Sequence, residues 1–146
     1  YWNRDEANNE SIIDGWFYSG DAGYFDEDGF LFIYDRVKDM IISGGENIYP
    51  AEVENALMHH PDVIDAAAVG VPDDKWGETV KGFIVLKKGS NVRESDLIAE
   101  TKNLIASYKC PSSINFITEM PRNPSGKILR RELRAPFWED GKRNVS

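Results

Sequence analysis

The sequence predicts an α+β fold: a small layered domain with a mixed sheet and helices, preceded by a β-hairpin segment. Two apolar runs of strand length, residues 63–71 and 79–86, are rich in branched side chains and should pair in one sheet. Apolar residues at helical spacing within residues 93–108 predict a helix that covers a face of this sheet. Residues 23–34 are rich in aromatics and turn at Asp28-Gly29, which predicts the hairpin.

A shorter helix is predicted between the hairpin and the sheet. Pro50 occupies the first helical position, where proline is favoured, and the helix should end before Pro61. Val53, Ala56 and Leu57 fall on one face at helical spacing. These positions predict a short amphipathic helix.

The C-terminal half contains four further signals. Asn91 and Glu94 are spaced like a capping pair at the start of the longer helix. Residues 114–117 predict another short strand, and residues 128–133 have the composition of a helix. Residues 135–146 show no clear period, and we expect this tail to be poorly ordered.

Composition and charge exclude several classes of protein. Seventeen basic and 25 acidic residues give a net charge of -8, which repels a phosphate backbone, so we expect no nucleic-acid partner. No apolar run approaches the roughly 20 residues that span a bilayer, which predicts no transmembrane segment. The 146 residues are enough for one ordinary domain. The composition therefore indicates a soluble globular protein with one core.

The cysteine and histidine content excludes a disulfide framework and a zinc site. Cys110 is the single cysteine, and His59 and His60 are the only histidines. We expect Cys110 to be an inert, half-buried thiol. Nothing indicates an oxidising compartment, and the prediction is a cytoplasmic protein without a metal site. The first residues lack both an initiator Met and the layout of a signal peptide, which suggests a cut through a longer chain.

Four segments in fixed order carry a resemblance to a known family. They are residues 15–21 (GWFYSGD), residues 35–39 (DRVKD) continuing to Glu54, residues 71–73 (VPD) with Trp76-Gly77, and residues 121–127 (PRNPSGK). Each string alone is weak, but four in this order are specific. Over almost its whole length the chain resembles the adenylate-forming enzyme superfamily. Residues 40–50 are most similar to bacterial fatty-acyl and related acyl-CoA ligases.

The resemblance implies three parts and a two-step reaction. Residues 1–37 would be the end of the N-terminal adenylating domain, residues 38–134 its mobile C-terminal lid, and residues 135–146 a tail. A fatty acid would react with ATP to give acyl-AMP and pyrophosphate, and CoA would then displace AMP. ATP and Mg²⁺ would be bound mostly by the rest of the N-terminal domain, which is the implied partner of this lid. We therefore expect this chain to be inactive alone.

Three residues are implied in the first step. Lys127 resembles the family lysine that contacts the carboxylate, the ribose and the α-phosphate, and a flexible cation suits such developing charge. Asp21 resembles the carboxylate that accepts two hydrogen bonds from the ribose hydroxyls, and Arg36 the arginine that supports this ribose. The alternative for Lys127 is an ordinary solvated lysine, and the alternative for Asp21 is a turn residue. For Arg36 it is a surface ion pair with Asp35 or Asp39. The commoner Arg-Thr before Gly-Asp is replaced here by Tyr18-Ser19.

The second step is implied to use a different face of the lid. Lys38 falls at the family's hinge position, where backbone rotation would exchange the two poses. Gly44 and Gly45 would then replace Lys127 at the active site and let the pantetheine arm of CoA pass close to the backbone. The alternative for Lys38 is a plain exposed lysine. The alternative for Gly44 and Gly45 is a tight loop before a helix.

Two aromatic residues resemble the CoA-lining positions of related ligases. Trp76 would lie along the pantetheine and Tyr108 near the adenine, whereas the alternative for both is an ordinary core or rim aromatic. Cys110 stands where some relatives carry an arginine for the CoA phosphates, and we expect neighbouring Lys109 to compensate.

Two other functions are weighed against the acyl-CoA ligase. One is the adenylation-domain lid of a peptide-synthetase-like enzyme, which would deliver its acyl group to the pantetheine of a carrier protein. The other is a non-catalytic binding module that kept the fold. The joint presence of Lys127, Asp21 and Arg36 argues against the second.

Overall fold

The computed structural model describes residues 1–138, and the chain forms two compact units that divide after Lys38. No described helix is long and apolar enough to cross a membrane. The assignment of residues 1–37 and 38–134 to two domains of an enzyme stays a prediction.

The first unit consists of one short helix and two small antiparallel sheets. Its elements are α1 (Asp5–Ser11), β1 (Ile12–Ile13), β2 (Trp16–Phe17), β3 (Asp21–Phe25) and β4 (Leu31–Arg36), and the division between the units falls within the following 3₁₀ turn (Val37–Asp39). The pairing of β3 with β4 confirms the predicted hairpin. Gly29 has a φ of +83°, and the carboxylate of Asp26 accepts hydrogen bonds from the backbone amides of Asp28 and Phe30. The turn is therefore fixed by conformation and by hydrogen bonds.

The second unit is built on a five-stranded mixed sheet. Its strands are β5 (Ile41–Ser43), β6 (Glu46–Ile48), β7 (Val63–Asp73), β8 (Gly77–Leu86) and β9 (Ser113–Phe116). The order is β6-β5-β8-β7, and β9 runs parallel to β8. The predicted pairing of the two long strands is confirmed in antiparallel register. Strand β9 makes the sheet mixed, as the sequence predicted.

Three helices pack on this sheet, and they are α2 (Pro50–Leu57), α3 (Glu94–Leu104) and α4 (Arg130–Arg134). Pro50 is the first residue of α2, as expected. The predicted capping pair is wrong: α3 has no side-chain cap, and Glu94 instead accepts a hydrogen bond from the amide of Ile114 at 2.7 Å. Helix α4 begins later than predicted because Ile128 forms a β-bridge with Arg122. The Glu94 contact ties α3 to β9.

Alternation along β7 divides the core between the two faces of the sheet. Ala66 and Ala68 join the larger cluster, which includes Leu57 of α2 and Leu97 of α3. Ala67, Val69 and Val71, which point to the opposite face, join a second cluster together with Phe83, Met120 and Leu133. Because side chains of a strand point alternately to opposite faces, β7 is buried on both sides. This explains why its sequence is continuously apolar.

The expectation of a poorly ordered tail is wrong for residues 135–138. Ala135–Phe137 forms a 3₁₀ turn, and Phe137 packs against the second cluster. The indole N–H of Trp138 donates to the carbonyl oxygen of Gly70 at 3.1 Å. The rest of the predicted tail, residues 139–146, lies outside the described residues.

Candidate functional site

The second unit contains a cleft of about 360 Å³ at the β5–β6 turn. Its lining residues are Ser43, Gly44, Glu46, Trp76, Thr79, Lys102, Ser107, Tyr108, Cys110, Pro111 and Ser112. Three residues that the sequence analysis selected for CoA, namely Gly44, Trp76 and Tyr108, therefore lie on one cleft. Trp76 and Tyr108 are both about half exposed, so their rings are accessible to a ligand.

Gly44 and Gly45 form the two-residue loop of the β5–β6 hairpin, the glycine loop. Ser43 pairs with Glu46 across it, and both glycines have positive φ values, +59° and +87°. A two-residue hairpin of type I′ requires this conformation at both central positions. A Cβ atom on Gly45 would meet no atom within 4 Å, so Gly45 is required for conformation alone.

Gly44 has a second reason to be glycine. A Cβ atom at this position would lie 2.7 Å from Cε3 of the Trp76 ring. The Gly44 amide also donates to the carbonyl oxygen of Trp76 at 2.9 Å. The Lys75 ammonium lies 4.4 Å from the centroid of the same ring. The indole is thus held by contacts on the glycine loop and on Lys75.

The cleft is lined by a lysine that the sequence did not point to, and the ammonium of the expected Lys109 lies 5.8 Å from the centroid of the Tyr108 ring. Both carboxylate oxygens of Glu52 accept hydrogen bonds from the Lys109 ammonium at 2.7 Å, which directs this side chain to α2. Lys102, on the last turn of α3, lines the cleft. No local sequence pattern points to Lys102, because its position depends on how the C-terminal end of α3 packs.

Cys110 fulfils the expectation of an unreactive thiol. It is buried, and its Sγ lies 3.5 Å from the carbonyl oxygen of Ala106. Burial raises the pKa of this thiol above its ordinary value, which outweighs the opposite effect of Lys102. A protonated thiol is a poor nucleophile, so this residue contributes shape and not chemistry.

Lys127 lies on a structured turn that we call the lysine loop, residues 122–128. The side-chain carbonyl of Asn123 accepts hydrogen bonds from the amides of Ser125 and Lys127 and from the Ser125 hydroxyl. Gly126 has a φ of +84°, and its amide donates to the carbonyl oxygen of Asn123. The Lys127 side chain is exposed, and no carboxylate within residues 1–138 forms an ion pair with it. Hydrogen bonds therefore hold the lysine loop in one shape, whereas the Lys127 ammonium is accessible to a ligand.

The lysine loop and the glycine loop lie at opposite ends of β7. Arg122 of the lysine loop bonds Asp65, near the start of the strand. At the other end Asp73 pairs with Gly77, which pairs with Ser43 beside the glycine loop. Asp73 follows Asp65 by eight positions of extended chain, which span roughly 25 Å. The two loops therefore present their residues at different ends of the central sheet.

Asp21 and Arg36 are brought together in the first unit. They are paired residues of β3 and β4, and Nε of Arg36 lies 2.8 Å from Oδ1 of Asp21. Both side chains remain partly exposed. The pair therefore presents a carboxylate, held in place by a cation, at the surface of the hairpin. Lys38, the predicted hinge, lies in the 3₁₀ turn Val37–Asp39, at the residue after which the two units divide.

Comparison with known proteins identifies the family. The family described as AMP-binding enzyme C-terminal domain matches residues 52–127. A fatty acid–[acyl-carrier-protein] ligase, ScoC of Streptomyces coeruleorubidus, is 51% identical over 146 residues, which are 100% of this chain and 28% of that protein.

Two solved structures resemble the chain equally well. ATP-bound MatB from Rhodopseudomonas palustris has a TM-score of 0.87 at 34% identity, with 97% of this chain and 28% of that chain covered. The o-succinylbenzoate CoA synthetase MenE of Bacillus subtilis, in complex with the acyl-adenylate intermediate OSB-AMP, has a TM-score of 0.85 at 45% identity, with 91% and 27% covered. This chain spans little more than a quarter of the length of these relatives. The match in sequence and in fold shows that it belongs to the AMP-binding enzyme C-terminal domain family.

Proposed function

We propose that this chain is the C-terminal part of an AMP-forming acid–thiol ligase that joins a fatty acid to CoA, with acyl-AMP as the intermediate. The observation that carries the proposal is the separation of the lysine loop from the glycine loop along β7. A lid that serves two chemically different steps needs two different faces. The lysine loop would supply a cation for one step, and the glycine loop would supply a channel for the other.

In the first step Lys127 would serve the adenylation. A carboxylate attacks the α-phosphorus of ATP, and negative charge gathers on the oxygens around it. A cation on an ordered loop stabilises this charge without reorganisation at the moment of reaction. Asp21 would accept hydrogen bonds from the ribose hydroxyls, and Arg36, which holds Asp21 in place, would support the same sugar.

In the second step the cleft would receive the pantetheine arm. Gly44 and Gly45 carry no side chains that would obstruct it, and Trp76 offers an accessible apolar ring along its path. Tyr108 would stack near the adenine, and Lys102 would attract the phosphates. Rotation of the backbone at Lys38 would exchange the two faces of the lid.

Mg²⁺ that accompanies ATP is not assigned to this chain. Within residues 1–138 no group of three carboxylate, histidine or cysteine side chains is arranged to hold a metal ion. We assign the ion, most of the ATP site and the acyl pocket to an N-terminal domain, which would be the partner of this lid. Because the proposed reaction uses ATP and CoA, we propose the cytoplasm as the location of the enzyme.

Exposed aromatic residues of the first unit support such a partner. Trp16, Phe17, Phe25 and Phe30 each keep at least 60% of their surface accessible. Several large apolar side chains exposed in one short segment are typical of a segment that packs against more protein. We therefore propose that residues 1–37 complete an N-terminal adenylating domain.

A second candidate is transfer to the pantetheine of a carrier protein, and one feature of the cleft favours it. Among residues 1–138, Lys102 is the one lysine or arginine on the cleft lining, and the carboxylate residue Glu46 lies on the same cleft. CoA carries three phosphate groups, whereas a carrier-bound pantetheine carries one phosphodiester. The two acceptors are distinguished by the rate of thioester formation with free CoA and with a pantetheinylated carrier protein.

The proposal is tested by substituting Lys127→Ala in a full-length enzyme that carries this chain as its C-terminal part. Pyrophosphate release and thioester formation from chemically supplied acyl-AMP are measured separately. We expect pyrophosphate release to collapse while thioester formation survives. Lys88→Ala, another exposed lysine, is the matched control. Unchanged rates of both half-reactions in the Lys127 variant would show that this residue is a bystander.

A further inference from the structure

We propose that Arg122 is a positioning residue for Lys127, and that its guanidinium group fixes the lysine loop to the central sheet. Nη2 of Arg122 donates to Oδ2 of Asp65 on β7 at 2.7 Å. Nη1 of the same side chain donates to the carbonyl oxygen of Gly126 at 2.6 Å. This inference rests on the proposed function, because it assigns a role within the adenylation step.

The other contacts of the loop do not duplicate this bridge. The hydrogen bonds of Asn123 join atoms of the loop to one another, so they fix its shape but not its place on the sheet. Ile128 and Met120 pack against the second core cluster and anchor the base of the loop. The Arg122 bridge acts at Gly126, next to Lys127, and connects that peptide to β7. It is therefore suited to setting the direction from which the lysine side chain departs.

An arginine is needed for this geometry. Its planar guanidinium presents several donors in a rigid fork, so one side chain can hold a carboxylate and a carbonyl oxygen at fixed angles. A lysine in its place offers a point charge on a flexible stem and does not fix both acceptors. Asp65, in turn, is held by its position on a strand of the central sheet.

The Arg122–Asp65 pair is expected to affect the position of Lys127 more than the free energy of unfolding. Both side chains are partly exposed, and ion pairs of that kind contribute little to the free energy of unfolding. A misplacement of a catalytic group by about 1 Å, however, lowers a rate by about a hundredfold. The expected signature is thus a slow adenylation step in a protein of unchanged stability.

The test compares Arg122→Gln, Arg122→Lys and Asp65→Asn in the full-length enzyme. We expect Arg122→Gln and Asp65→Asn each to lower kcat for pyrophosphate release by about 10- to 100-fold, with little change in KM for ATP. Thioester formation from supplied acyl-AMP and the Tm should stay at parental values. Arg122→Lys should restore part of the rate, and the double variant should be no slower than the slower single variant.

Arg93→Gln is the matched control, because it breaks an arginine–aspartate pair on α3, remote from the lysine loop. Parental pyrophosphate release in Arg122→Gln and Asp65→Asn, combined with its loss in Lys127→Ala, would overturn the inference and leave the proposed function standing. Equal loss of both half-reactions with a lowered Tm would also overturn it, since the bridge would then be structural. An unaltered full-length enzyme that releases no pyrophosphate would overturn the inference and the proposed function together.

Discussion

The backbone amide of Gly44 donates to the carbonyl oxygen of Trp76 at 2.9 Å, and the ring of the same tryptophan occupies the space that a Cβ atom on Gly44 would need. The glycine loop and the wall of the cleft are thereby one structural unit. A change at Gly44 must move the indole, the loop or both. The cleft is the part of the molecule where local backbone conformation and ligand access are most closely coupled.

Gly44→Ala is therefore expected to damage the cleft more than its backbone strain explains. A left-handed φ costs a non-glycine residue about 1–2 kcal/mol, and the contact of 2.7 Å with the ring adds to this. We expect a lower Tm and slower thioester formation, with pyrophosphate release retained. Gly89→Ala is the control, since Gly89 has a φ of +85° with no atom near its Cβ position. Equal effects of the two substitutions on Tm and on thioester formation would contradict this account.

The ion pair between Arg130 and Glu54 should be a main support of the second unit. Arg130 begins α4 and bonds both oxygens of Glu54 on α2, which also accepts from the amide of Ala68 at 2.9 Å. Arg130→Met leaves a largely buried carboxylate without this partner, so we expect a loss of about 1–3 kcal/mol of unfolding free energy, measured in urea. Arg93→Met, which removes a far more exposed ion pair, should leave the urea midpoint unchanged. Similar midpoints for both variants would show that the Arg130 pair is not a support.

The raised pKa of Cys110 predicts slow alkylation. Burial favours the neutral thiol, so the reactive thiolate forms at a higher pH in the folded protein than in the unfolded chain. Labelling by iodoacetamide should be slow near neutral pH and should accelerate when the chain is unfolded in urea. Because the folded pKa lies above the unfolded one, this thiol makes stability fall as the pH rises through the two values. Rapid labelling of the folded protein near neutral pH would show that the thiol is accessible and unperturbed.

The sequence predicted the elements whose pattern is local. The structure confirms three such elements: the hairpin at Asp28-Gly29, the helix that starts at Pro50 and the paired strands β7 and β8. Each was predictable because turn residues, proline and branched apolar runs act over a few positions. The Asn91–Glu94 cap was wrong because Glu94 is used by a tertiary contact instead, a bond to the amide of Ile114. No local pattern reveals that competition.

The site residues likewise divide into those that a local sequence pattern identified and those whose position depends on tertiary contacts. Gly44 was selected from the sequence together with Trp76 and Tyr108, and the structure brings all three to one cleft. Lys109 was expected to supply charge there, and this stays a prediction: its ammonium binds Glu52, more than fifty residues away along the chain, and lies 5.8 Å from the centroid of the Tyr108 ring. Lys102 was missed, since its place depends on the packing of α3. The positions of these lysine side chains depend on contacts between distant segments, and a single sequence does not reveal such contacts.

If one lid serves two steps by turning at Lys38, restricting the backbone there should separate the two half-reactions, which we would measure in Lys38→Pro and Lys38→Ala variants of the full-length enzyme. Proline fixes φ near -65° and restricts the residue before it, whereas alanine leaves the backbone free. We expect the alanine variant to keep both half-reactions and the proline variant to keep one and lose the other. A proline variant that performs both steps at parental rates would contradict the two-pose lid.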